Sequence, residues 1–107
     1  MTDRELLELA AKAVGYWNKQ FNCYEGPVNW DALENQSDSD MLGVALELDV
    51  DWYKETPRVE VHTWVGDDWI TSRPVPHDGT IEDKARALRL ARVKVAAEIG
   101  REVKDEG

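Results

Sequence analysis

Arg58-Val59-Glu60-Val61-His62-Thr63-Trp64-Val65-Gly66-Asp67-Asp68-Trp69-Ile70-Thr71-Ser72-Arg73 is the stretch whose pattern decides the fold of this chain. Val59, Val61, Thr63 and Val65 alternate with Glu60, His62 and Trp64, a period of two that sets β-branched side chains on one face of a strand. Gly66-Asp67-Asp68 then turns the chain, since Gly and Asp accept the backbone angles of a tight turn, and Trp69, Ile70 and Thr71 return. The segment reads as a β-hairpin. Pro74-Val75-Pro76-His77-Asp78-Gly79 follows. Proline has no N–H to give a ladder, so this stretch is expected to leave the sheet and connect to the last element.

That element is predicted as a helix over residues 81 to about 103, with Thr80 as its cap and Glu82 and Asp83 in the first turn, where the helix dipole favours acids. Ile81, Ala85, Leu88, Val95, Ile99 and Val103 recur at helical spacing as its core stripe. Steps of about 100° per residue put Leu90, Val93 and Ala97 on the opposite side. A helix with one covered face does not need them. Either sheet and another helix cover both sides, or the second stripe meets a partner, such as another copy of the chain in a homodimer. Arg92 projects into the core stripe, where its stem can pack while its head reaches an acid.

Upstream, Thr2-Asp3-Arg4-Glu5 has the spacing of a capping box. Leu6, Leu9, Ala10, Ala13 and Val14 follow at helical spacing, and Gly15 supplies a stop, so a helix is predicted over about 3–14. Tyr16 to Trp30 is aromatic and broken by Gly26-Pro27, which favours a loop with a short strand on one or both sides. Ser37-Asp38-Ser39-Asp40 looks like the start of a second helix, about 38–48, with Ser37 as cap and Met41, Val44, Ala45 and Leu48 on one face. Gly43 costs that helix about 1 kcal/mol relative to Ala, so it should be short. Leu46, Leu48, Val50 and Trp52 alternate with Glu47, Asp49 and Asp51, and a strand is expected to begin near Val50. The order predicts a single α+β domain over 1–107, a small antiparallel sheet packed against two or three helices. With 42% apolar residues and five Trp, the chain is too hydrophobic for disorder.

Charge is unevenly placed. Residues 20–79 hold 13 acids against three bases, whereas the flanks are close to neutral, so the net charge of −9 sits in the middle. Glu25, Asp31, Glu34, Asp38, Asp40, Glu47, Asp49 and Asp51 follow one another without a Lys or Arg between them. A one-signed field acts on partners and association rate rather than on the fold. Asp38 and Asp40 have a local reason as first-turn helix residues, and Glu47, Asp49 and Asp51 as the polar side of an alternating run. Glu25, Asp31 and Glu34 have none.

Signatures of chemistry are missing. Asp49-Val50-Asp51 begins like a calcium loop with Glu60 at the twelfth position, but Lys54 stands where the turn needs Gly and Pro57 interrupts the ligands. His62 and His77 lack zinc spacing, and the lone Cys23 offers no second sulfur; it is expected to be a buried or half-buried thiol. Ser37, Ser39 and Ser72 lack the glycines of a nucleophile elbow, and no Gly-rich phosphate loop occurs. Asp67-Asp68 fits a turn better than a catalytic carboxylate pair. Lys84, Arg86, Arg89, Arg92 and Lys94 spread around their helix instead of forming a stripe that could follow phosphates. No catalytic, metal or cofactor site is expected, and a non-enzymatic role is. No segment has the run of roughly 20 apolar residues needed to span a bilayer, and the first residues lack a signal-peptide pattern, so a cytoplasmic location is expected.

Asp3-Arg4-Glu5-Leu6-Leu7-Glu8-Leu9-Ala10-Ala11-Lys12-Ala13 and Ala96-Ala97-Glu98-Ile99-Gly100-Arg101 are similar to the two ends of a family of small accessory proteins encoded by tailed phages and prophages. That family tends to carry a Trp-Asn-Pro-Leu type segment, then Asp-rich residues and a short Leu-rich helix. Asn29-Trp30-Asp31-Ala32-Leu33 and Asp38-Ser39-Asp40-Met41-Leu42-Gly43-Val44-Ala45-Leu46 stand in that place, with Asn and Trp reversed, Pro absent and Gly43 at a usually helix-forming position. The hairpin region has no counterpart in the resemblance. It implies a phage product at work in a bacterial host cell and brings no catalytic residue with it.

The expected function is binding of a host macromolecule by an anti-CRISPR-like inhibitor whose acidic surface mimics nucleic acid. Glu25, Asp31, Glu34, Asp38, Asp40, Asp49 and Asp51 would supply charge and Trp52, Trp64 and Trp69 the anchors, because Trp is enriched at binding hot spots. A self-associating scaffold through Leu90, Val93 and Ala97, and a small enzyme with an unrecognised carboxylate site, are the alternatives.

Overall fold

Trp64 faces Trp69 and Val65 faces Asp68 across two antiparallel strands in the computed structural model, which describes residues 1–18 and 20–102. The predicted hairpin is present, closed by Gly66 and Asp67, with Gly66 at φ 61°. In chain order the elements are α1 (Asp3–Ala13), β1 (Trp17–Asn18), β2 (Cys23–Tyr24), α2 (Gln36–Ala45), β3 (Asp49–Tyr53), β4 (Arg58–Val65), β5 (Asp68–Thr71), β6 (Val75–Pro76) and α3 (Ile81–Glu102). This is an α+β fold. Three helices accompany a main antiparallel sheet, in which β4 lies between β3 and β5, and a two-residue ladder of β1 with β2.

The proline stretch corrects the sequence reading. Val75 and Pro76 rejoin the sheet as β6, opposite Val59 and Arg58, on the side of β4 that β5 occupies further along. The ladder survives because Ser72 bridges the gap. Its Oγ accepts a hydrogen bond from the Val61 N–H at 3.0 Å, while its own N–H donates to the Val61 carbonyl at 2.8 Å. Arg73, at φ 58°, takes the kink.

The core has two parts, and α3 serves both. Ala87, Ala91 and Val95 pack with Val59, Val61 and Val75 of the sheet, joined by Leu48, Val50, Ile70, Leu88 and Ile99. Val93 and Ala96 pack with Ala10 of α1, Leu42 of α2 and Ala32, joined by Leu6, Trp30 and Leu46. The order of layers is therefore sheet, α3, then α1 and α2. That explains the second stripe: Val93 and Ala97 are buried within the chain. Leu90 departs from the expected stripe: it packs, part-buried, against the sheet-side cluster, so Leu90, Val93 and Ala97 do not form one surface. Ile81, the first residue of α3 and of the predicted core stripe, is 81% exposed; Val103 lies outside the described residues.

Both N-terminal helices are capped by side chains. Thr2 Oγ1 accepts from the Glu5 N–H, one half of a capping box, and the Glu5 carboxylate accepts from the Thr2 hydroxyl itself. α2 begins earlier than its sequence suggested: Asn35, not Ser37, is the cap, with its Oδ1 accepting from the Asp38 N–H at 3.0 Å. Its buried face also differs from the expected one. Ser39 and Leu42 point inward, whereas Met41 and Val44 are exposed. Gly43 lies against the Arg92 guanidinium, close enough that a Cβ there would sit 3.3 Å from Nε.

Candidate functional site

Cross-strand register sorts the sheet residues by face. Val50, Val59, Val61 and Ile70 look toward α3, so the residues alternating with them look outward. Asp49, Asp51 and Tyr53 of β3 lie opposite His62, Glu60 and Arg58 of β4, and Trp64 and His62 lie opposite Trp69 and Thr71 of β5. Among the described residues no helix covers this face. Its carboxylates Asp49, Asp51 and Glu60 share it with the rings of Trp64 (62% exposed) and Trp69 (45% exposed).

Contacts within the face are specific. His62 Nε2 lies 2.7 Å from Asp51 Oδ2, and its ring rests on Trp69 at 4.6 Å between centroids. Only 13% of the His62 side chain is exposed, and its Nδ1 is buried without a hydrogen-bond partner. Trp64 and Trp69 approach to 5.0 Å. The Tyr53 hydroxyl donates to Glu60 Oε1 at 3.1 Å, and that bond, with some burial, raises the phenol above its ordinary pKa. The Arg58 guanidinium sits 5.6 Å from the centre of the Tyr53 ring, a cation–π contact.

The long acidic stretch is divided between the two sides of α3. Asp49 and Asp51 belong to the sheet face, while Asp38 and Asp40 belong to the helical layer behind α3 and are tied down there. Asp38 Oδ2 accepts from the Asp31 N–H, and Asp40 Oδ1 lies 2.7 Å from Arg92 Nη1. Hydrogen bonds from Gln36 and Arg92 hold the Asp40 carboxyl below its usual range. Asp31, which had no local reason in the sequence, has one in the structure: its Oδ1 accepts from the N–H groups of Leu33 and Glu34 and shapes the turn before α2. Glu25 accepts from Asn18 Nδ2 at 2.8 Å, and Glu34 and Glu47 are exposed. Of the predicted contact residues, then, Asp49, Asp51, Trp64 and Trp69 come together, and Glu25, Asp31, Glu34, Asp38 and Asp40 do not join them. Trp52 is on the inner side of β3 at the rim, 44% exposed, with its ring edge-on to His77.

Glu60, His62 and Tyr53 were missed as members of the site. Their signal was the period of two, which fixes face once the strand partners are known. Cys23, expected to be at least half-buried, is exposed on β2. Among the described residues no group of three or more His, Cys, Asp or Glu side chains is placed to hold a metal, and no helix is long and apolar enough to cross a membrane.

Compared with protein-family models, curated proteins and solved structures, the chain has no match.

Proposed function

We propose that this protein acts by binding rather than catalysis, and that its outer sheet face engages a basic surface of a host macromolecule, of the kind that otherwise holds nucleic acid. One observation carries this reading: Asp49, Asp51 and Glu60 share an uncovered face with the exposed rings of Trp64 and Trp69. In a chain of net charge −9, these carboxylates steer a basic partner toward the face, an attraction that weakens as salt rises. The two indoles supply the large apolar contacts on which interface energy concentrates. The phage-like ends of the sequence favour a bacterial setting, where the nucleic-acid channel of a defence nuclease or CRISPR complex is such a surface and occupying it inhibits.

The test sets the immobilised wild type beside a variant carrying Asp49→Asn, Asp51→Asn and Glu60→Gln in bacterial lysate. The expected result is a basic nucleic-acid-binding protein retained by the wild type at low salt, released at high salt or by added DNA, and not retained by the variant. Equal retention by both proteins, or none at low salt, overturns the reading.

A further inference from the structure

β3 is an outer strand: β4 flanks it on one side, and no strand of the described chain flanks it on the other. The direction of its spare hydrogen-bonding groups follows from Val61, whose N–H and C=O both bond to Ser72 and so point away from β3. In an antiparallel pair, opposite residues alternate between exchanging both bonds and exchanging none. Val50, opposite Val61, therefore belongs to a pair without bonds, and so does Trp52, opposite Val59. The N–H and C=O of Val50 and of Trp52 point out along the free edge.

The side chains beside those groups say what could pair with them. On the outer face the edge carries Asp49 and Asp51; on the inner face it carries Val50 and the part-exposed Trp52. Two copies of β3 laid edge to edge would bring these carboxylates together, and like charges facing across strands are destabilising. Charge on an edge strand is a known guard against self-pairing. The same charge attracts a basic strand. A guanidinium also fits the chemistry of this face, because the chain's own Arg58 already lies over the Tyr53 ring there.

We infer that the β3 edge takes up an extended arginine-bearing segment of the partner as an added strand. Alternate residues of that segment fall on opposite faces: arginines beside Asp49 and Asp51, apolar side chains beside Val50 and Trp52. The main-chain bonds to Val50 and Trp52 give affinity and the side chains give selectivity. This inference rests on the basic-partner reading above and adds the mode of recognition.

Amide hydrogen exchange on the full chain tests it, with a short capped peptide alternating arginine and valine as the probe and the same peptide N-methylated at its valines as the control. N-methylation keeps the charge but removes the N–H groups that would face β3. The expected result is slowed exchange at the Val50 and Trp52 amides with the first peptide, and binding weakened at least about tenfold by N-methylation, in line with the loss of two ladder hydrogen bonds. Equal binding of both peptides with Val50 and Trp52 unprotected overturns strand addition while leaving the basic-partner reading intact. If neither peptide binds at low salt the inference also fails, and the lysate experiment decides the broader reading separately. Protection of the same amides that grows with protein concentration, without peptide, assigns the edge to a second copy and overturns the inference as well.

Discussion

Ser72 shows how much a single hydroxyl can decide. Its Oγ accepts from the buried Val61 N–H and donates to the Arg73 carbonyl at 2.8 Å, which lets the sheet continue past a proline-containing kink. Ser72→Ala should leave that N–H without a partner and cost about 1–3 kcal/mol, read as a lower urea midpoint with an unchanged slope. A midpoint equal to the wild type would mean that another acceptor replaces the hydroxyl. Proline's missing N–H made a strand at Pro74-Val75-Pro76 unexpected, yet Val75 and Pro76 pair with β4, and a side chain standing in for a backbone acceptor leaves no mark in periodicity. Asp31 is the same case, since its turn-forming bonds to Leu33 and Glu34 depend on a local conformation that composition does not specify.

At the scale of elements, periodicity was a good guide to what forms and a weaker one to which side faces in. The hairpin and the helices α1 and α3 lie where their patterns put them. α2 exists as expected but is rotated: a ten-residue helix with an ambiguous stripe takes its orientation from tertiary packing, here with Ser39 and Leu42 buried and Gly43 against Arg92. The site suffered likewise: alternation marked Asp49 and Asp51 as polar, yet only the β3–β4 register joins them to Glu60 and His62. The packing of α1 on α3 has its own pressure point. A Cβ on Gly100 would collide with the Leu9 carbonyl, a backbone group that cannot swing aside. Gly100→Ala should therefore cost about 3 kcal/mol or more despite the better helix propensity of Ala, seen as a lower thermal midpoint by circular dichroism. A rise in that midpoint would show that the helices can separate cheaply.

For the whole molecule the decisive property is charge, and it makes stability depend on acid. Hydrogen bonds from Gln36 and Arg92 to Asp40, from Thr80 to Asp78 and from Arg86 to Asp83 hold these three carboxyls below their ordinary range. Each binds its proton less readily in the folded chain than in the unfolded one, so its contribution is complete above the usual carboxylate pKa near 4 and is lost as pH falls through the lower folded value. Thermal midpoints should be level near neutrality and fall below about pH 4, with a shallower fall when Asp78 and Asp83 are both changed to Asn. An unchanged slope in that double variant would show that these pairs do not couple folding to pH. The net charge was plain from composition, but its division between a sheet face and a helical layer was not, because that depends on which side of α3 each segment packs.

The position of α3 between the two halves of the core also bears on the order of events during synthesis. α1, α2 and the sheet all leave the ribosome before the helix that each must pack against, so the inner faces of Leu42, Val59 and Val61 wait uncovered until Ala87 to Ala97 have been made. Neither half of the core can close early. The nascent chain has to remain soluble through that interval, and the acidic run from Glu25 to Asp51 keeps neighbouring unfinished chains apart by mutual repulsion.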